Sequence, residues 1–163
     1  MMNLEVLFQS ADLTGNDTLR DIATSHANTT MKNHIRTDGT PPPLPLYPFN
    51  FTHRPGSTWH LVEYNSTTGL VIKKGTAQGY SDNSTWSRGQ AWGIYGFANS
   101  VYPKKISFFW GLNNSNNVVF NRTGNIEYLV TARRLATYFL NNLPDDGIVP
   151  WSDVLFPSIS DRH

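Results

Sequence analysis

At 163 residues and a formal charge of +1, the chain is long enough for one domain with a buried core and carries no steering field. The absence of any Lys/Arg-rich run speaks against a nucleic-acid partner, and no apolar run approaches the roughly 20 residues of a membrane span. There is no cysteine, which excludes disulfides and thiolate metal sites.

Met1 to Gln9 is mostly apolar and reads as the end of a buried helix, broken by Thr14-Gly15-Asn16. Asn16 or Asp17 can cap a second helix through a side-chain oxygen that takes an orphan N–H. That helix carries Leu19, Ile22, Ala23, Ala27, Thr30 and Met31 as a 3.6-type stripe, and the residues around Arg36 to Gly39 end it. Thr40 to Gly56 is Pro-rich and reads as a polyproline linker. From Thr58 to Ile72 the order W-H-L-V-E-Y, N-S-T-T-G, L-V-I reads as strand, turn, strand. Asp82 or Asn83 can cap a third helix running to about Ser100, on which Trp86 and Gln90, and Arg88 and Trp92, each share a face. Gly89, Gly93 and Gly96 weaken that helix and allow a neighbouring backbone or ligand to come close. Ser100 to Asn121 reads as a strand and an Asn-rich loop. A fourth helix covers about Asn125 to Asn142 and stops at Leu143-Pro144-Asp145-Asp146-Gly147.

The second and fourth helices look like copies of one unit. Thr14-Gly15-Asn16 leads to Ala23 and Ala27, and Thr123-Gly124-Asn125 leads to Ala132 and Ala136 at the same offsets. A repeated turn and helix with Ala every four residues suggests stacked helical hairpins packed closely through small side chains.

The chemistry concentrates in Thr76 to Trp92, T-A-Q-G-Y-S-D-N-S-T-W-S-R-G-Q-A-W, with two Trp, two Gln, one Arg and one Tyr. Trp and Tyr offer flat apolar faces with a polar handle, and Arg offers a planar fork that matches a carboxylate. Together these suit a ring-shaped acidic ligand such as a uronic sugar. The aromatic content of 13% fits a sugar site and a large core equally well. Sequons stand at Asn16, Asn28, Asn50, Asn65, Asn83, Asn113 and Asn121, while M-M-N-L-E-V-L-F carries no basic n-region of a signal peptide. The two observations pull in opposite directions and leave localisation open.

Several ordered motifs resemble glycoside hydrolase family 88, the unsaturated glucuronyl hydrolases. They are M-M-N-L-E-V-L-F at Met1, T-G-N at Thr14, H-A-N-T-T at His26, R-T-D-G at Arg36 and S-T-W-H at Ser57. The stretch from Thr76 to Ala98, A-R-R-L-A-T-Y-F-L at Ala132 and L-P-D-D-G-I-V-P-W at Leu143 complete the set. The resemblance implies an all-α fold: a partial α/α six-hairpin toroid, an incomplete barrel, with a small β-hairpin. It implies hydration of the C4=C5 vinyl ether of an unsaturated uronic acid, in which a carboxylic acid protonates the alkene and water adds. The partner would be an unsaturated uronic-acid oligosaccharide, with no metal or organic cofactor, no nucleic acid and no membrane. Residue by residue, the substrate-binding positions would be His60, Gln78, Arg88 and Trp92, for the sugar or attacking water, a hydroxyl, the sugar or its carboxylate, and ring stacking respectively.

The departures from the family pattern are equally specific. The family's proton-donating Asp falls just ahead of the M-M-N signature, so the 163 residues are expected to contain no catalytic residue and to be inactive by themselves. Asp38, Glu63 and Asp82 are the carboxylates near the matched motifs, and a substitute acid would need a raised pKa. Residues 1–163 then form a single partial glycosidase domain, with 40–56 and 100–121 as unmatched insertions and 152–163 as an unmatched tail. The insertions read as short introns translated in frame or as surface insertions, which cost little closure entropy. A non-catalytic carbohydrate-binding remnant and an unsaturated rhamnogalacturonyl hydrolase are the alternative readings.

Overall fold

The structure is a computed structural model, and the residues it describes are 1, 3–36, 56–98 and 123–150. The insertions at 40–56 (Gly56 apart) and 100–121 and the tail at 152–163 lie outside them, as do the linker, strand and loop expected there. In chain order the elements are α1 (Leu4–Thr14), α2 (Asp17–His34), β1 (Leu61–Tyr64), β2 (Val71–Gly75), α3 (Ser87–Ala98) and α4 (Ile126–Asn141). The described chain is thus helical with one small two-stranded sheet. Among the described residues no helix is long and apolar enough to cross a membrane. The chain divides into two compact units, Met1–Lys32 with Trp92–Arg134, and Asn33–Ala91 with Leu135–His163.

In the first unit, α1 buries Leu4, Phe8 and Ala11 along one face and leaves Val6 and Leu13 exposed, so it is amphipathic rather than buried all round. Gly15 ends it with φ of 66°, in the left-handed region that favours glycine. The duplicated turn repeats atom by atom. Asn16 Oδ1 accepts from Thr18 N–H at 3.1 Å, and Asn125 Oδ1 accepts from Glu127 N–H at 3.0 Å. The Asn16 and Asn125 N–H groups reach back to Thr14 and Thr123 Oγ1, both at 3.3 Å, and Gly124 has φ of 68°. Each copy therefore ends one segment with glycine and starts a helix with an asparagine cap. Ala23 and Ala27 are buried, as is Ala132, the counterpart of Ala23. The expected α2 stripe is narrower than the sequence suggests: Ile22 is half-exposed and borders an open groove with Thr18, Asp21, Ser25, His26 and Thr29. A residue next to Ala23 is turned about 100° away from the buried line by the helix itself. Phe97 stacks on Tyr128 with ring centroids 6.0 Å apart, and Tyr128 donates its hydroxyl to Asn28 Oδ1 at 2.7 Å, which ties α2 to α4.

In the second unit, β1 and β2 pair antiparallel from Leu61↔Gly75 to Tyr64↔Val71, with an irregularity at Glu63/Tyr64. The turn is set by Asn65, whose Oδ1 accepts from Thr67 and Thr68 N–H at 2.9 and 2.8 Å, and by Gly69 at φ 69°. Just ahead of the hairpin, Ile35 bridges to Thr58, and Trp59 N–H donates to His34 O at 2.7 Å. The end of α2 is thereby stitched to the segment that leads into β1.

Candidate functional site

Helix α3 begins at Ser87, not at Asp82 or Asn83. The reason lies in the competing partners of these residues. Residues 81–84 close a tight turn, in which Ser84 N–H and Oγ both donate to Ser81 O, at 3.0 and 2.8 Å. Asp82 turns instead to the hairpin: its Oδ1 accepts from Thr76 N–H at 3.0 Å, and its Oδ2 pairs with Lys73 Nζ at 3.3 Å. Gly75 makes this possible, because a Cβ there would stand 2.5 Å from Asp82 Oδ1. The Thr76 amide, and secondarily Lys73, hold the Asp82 carboxyl below its ordinary value.

The loop held by Asp82 encloses one edge of His60. The imidazole Nδ1 lies 2.8 Å from Thr76 Oγ1 and receives the N–H groups of Ala77 and Gln78 at 3.2 and 3.4 Å. An atom facing two amide donors must be the acceptor nitrogen, so the neutral ring carries its proton on Nε2. The Thr76 hydroxyl then donates to Nδ1, while its oxygen accepts from Gly79 N–H at 2.7 Å. The ring packs on Trp86 at 4.1 Å between centroids. On the same indole, the Arg88 guanidinium lies 4.5 Å from a ring centroid, and its Nη2 donates to Gln78 Oε1 at 3.4 Å. Gly89 keeps room for the indole, since a Cβ there would stand 3.0 Å from Trp86 Cε3.

Three of the four residues singled out by sequence, His60, Gln78 and Arg88, therefore meet around Trp86 in the second unit. Trp92 follows Arg88 by four positions along α3, is 44% exposed, and belongs to the first unit. Trp86 itself is 4% exposed and acts as the floor of the cluster. Gln90 is wholly buried and structural: its Nε2 donates to Gly56 O at 2.7 Å and to Leu135 O at 3.0 Å.

The residue that sequence reasoning missed is Arg36. It is only 7% exposed and stacks over Trp59 at 3.9 Å. Its Nη1 donates to Ser57 Oγ, Thr58 O and Thr85 Oγ1 at 3.2, 2.9 and 3.0 Å, and its Nη2 to the carbonyls of Asn83 and Ser84 at 3.1 and 3.2 Å. Thr85 Oγ1 also accepts from Tyr138 OH of α4 at 3.5 Å. Burial, and secondarily the Arg36 charge, lowers the Lys74 ammonium below its ordinary value. Arg88 is the cation that the described contacts place in the cluster, a setting for an anion.

No family model matches the chain. It is similar to the unsaturated glucuronyl hydrolase of Formosa agariphila, with 35% identity over 99% of this chain and 32% of that protein. Among solved structures, it is similar to the unsaturated glucuronyl hydrolase of Bacillus sp. GL1, with a TM-score of 0.70 and 32% identity, over 97% of this chain and 32% of that one. A Streptococcus agalactiae unsaturated glucuronyl hydrolase mutant complexed with dGlcA-GalNAc6S matches with a TM-score of 0.64 and 28% identity, over 98% of this chain and 32% of that one. The chain thus spans about one third of the length of the relatives it matches. Over that third, in sequence and in fold, the chain is a relative of the unsaturated glucuronyl hydrolases of glycoside hydrolase family 88.

Proposed function

We propose that the His60–Gln78–Arg88 cluster binds the unsaturated uronic acid at the end of an oligosaccharide, as part of a hydrolase that hydrates its vinyl ether. The observation that carries this reading is the Trp86 indole in contact with both His60 and Arg88, with Gln78 bonded to Arg88. Arg88 supplies a fork for the sugar carboxylate, Gln78 an amide for a hydroxyl, and the His60 Nε2–H a donor to a ligand oxygen. Trp92 exposes a ring suited to stacking on a sugar face. The matched relatives, one of them complexed with dGlcA-GalNAc6S, support this substrate class.

Two of the carboxylates considered near these motifs lie among the described residues. Asp82 is held ionised, and Glu63 stands opposite Lys73 in the hairpin. Asp38 lies outside the described residues. The described part of the site thus contributes binding groups. In the same reading the helices belong to a six-hairpin toroid, and the chain is one partial glycosidase domain with 40–56 and 100–121 as insertions.

The test is calorimetric titration with an unsaturated uronyl disaccharide and its saturated counterpart, against the wild type, Arg88→Ala and Arg88→Lys. Loss of the fork should weaken binding of the unsaturated acid by about tenfold or more, with Lys restoring only part of it. Unchanged affinity in Arg88→Ala would remove the assignment. A parallel assay of vinyl-ether absorbance separates binding from turnover.

A further inference from the structure

We propose that Arg36 is the positioning residue of this site, clamping together the two backbone segments that carry His60 and Arg88. The inference rests on the saccharide reading only for its consequence in binding; the clamp itself is a statement about His60 and Trp86.

Ser57 and Thr58 lie just ahead of His60, and Asn83, Ser84 and Thr85 just ahead of Trp86 and Arg88. The two segments are more than twenty residues apart in sequence and join no common sheet ladder among the described residues. One buried guanidinium bonds to both, through two partners in the first segment and three in the second. Three of the five acceptors are backbone carbonyls, so the group fixes main chain and not only side chains. The backbone around Arg36 joins the first segment as well, with Arg36 N–H donating to Ser57 O at 2.9 Å and Gly56 N–H to Arg36 O at 3.2 Å. Trp59 covers one face of the guanidinium and precedes His60 directly, so the plane of the fork and the entry of the His60 backbone are set together. The contact of His60 with Trp86 spans these two segments, and the geometry makes it depend on Arg36.

The four N–H of the two terminal nitrogens, one of them shared, serve five acceptors in two segments at once. An ammonium has three donors and no plane, so Lys at this position cannot reproduce the bridge. Displacement of a binding group by about 1 Å can cost on the order of 100-fold in activity.

The test compares wild type, Arg36→Lys and Arg36→Ala by two readouts. The first is the nitrogen-15 spectrum of His60 without ligand, in which Nδ1 reports its acceptor state and ring environment. The second is affinity for the unsaturated disaccharide, with and without low millimolar methylguanidine. The expected result is a changed His60 signal in both variants, binding weakened by about ten- to 100-fold, and recovery of the Arg36→Ala signal and affinity with methylguanidine. A His60 spectrum identical to wild type in folded Arg36→Lys overturns the proposal. Failure of methylguanidine to restore folded Arg36→Ala counts against it equally. If the wild type itself does not bind the disaccharide while the His60 signal still responds to Arg36, the substrate reading falls and the clamp stands.

Discussion

Replacing Trp86 by Ala tests whether the floor of the cluster is a structural element as well as a surface for ligand-side groups. The indole is 4% exposed, and burial of a Trp removes about 150–250 Å² from water. At about 25 cal/mol per Å² this corresponds to roughly 4–6 kcal/mol as an upper bound, because the unfolded chain already hides part of that surface. Large-to-small substitutions of buried aromatics cost about 3–5 kcal/mol, so the two routes agree on a loss near 4 kcal/mol. Of this, the His60 contact at 4.1 Å should contribute about 0.5–1.5 kcal/mol as a coupling term. The assay is urea unfolding of wild type, Trp86→Ala, His60→Ala and the double variant, with the coupling read from the cycle at constant m-value. A total loss below about 1 kcal/mol would refute the burial argument. A coupling indistinguishable from zero would refute an energetic contact between the two rings.

Three further outcomes follow from the geometry. Asn16→Ala and Asn125→Ala should each destabilise the protein by about 1 kcal/mol and by similar amounts, because their cap bonds match; a difference beyond about 1 kcal/mol in chemical denaturation would show that the two turns are not equivalent. Gly96→Ala should lower stability by about 1–3 kcal/mol in spite of better helix propensity, since its Cβ would stand 2.7 Å from Met1 Cβ; a raised unfolding midpoint would contradict this close approach. The Asp82 carboxyl, held down by the Thr76 amide and Lys73, should titrate below the usual Asp range in a carbon-13 experiment. Its contribution to stability is present above the ordinary carboxylate pKa and lost as pH falls through the lowered value; a midpoint above the usual range would refute the loop geometry.

The helices were legible in the sequence because their ends are chemically explicit. Thr-Gly-Asn supplies a left-handed glycine and a cap within one tripeptide, and Leu143 to Gly147 supplies a stop in which Gly147 takes φ of 70°. The start of α3 was misjudged because an aspartate that could cap a helix had a better offer from a backbone amide six residues earlier, a partner no local rule reveals. The grouping of His60, Gln78 and Arg88 was anticipated from motif resemblance, while their actual mode of contact through Trp86 was not. Arg36 escaped notice for a related reason. An arginine two residues past the end of α2 carries no local signal of burial, and the described acceptors of its guanidinium lie 21 to 49 positions away.

That separation also sets a timetable. The side-chain bonds of the duplicated turns span two residues, whereas the described bonds of the Arg36 guanidinium span 21 to 49. Contacts between near neighbours close small loops and form early, and distant ones wait until the entropy of the intervening chain has been overcome. Newly made molecules should therefore acquire their helical starts first and the cluster around Trp86 last. In pulsed hydrogen exchange during refolding, the Thr18 and Glu127 amides should be protected before those of Ala77 and Gln78, and the reverse order would contradict this timetable.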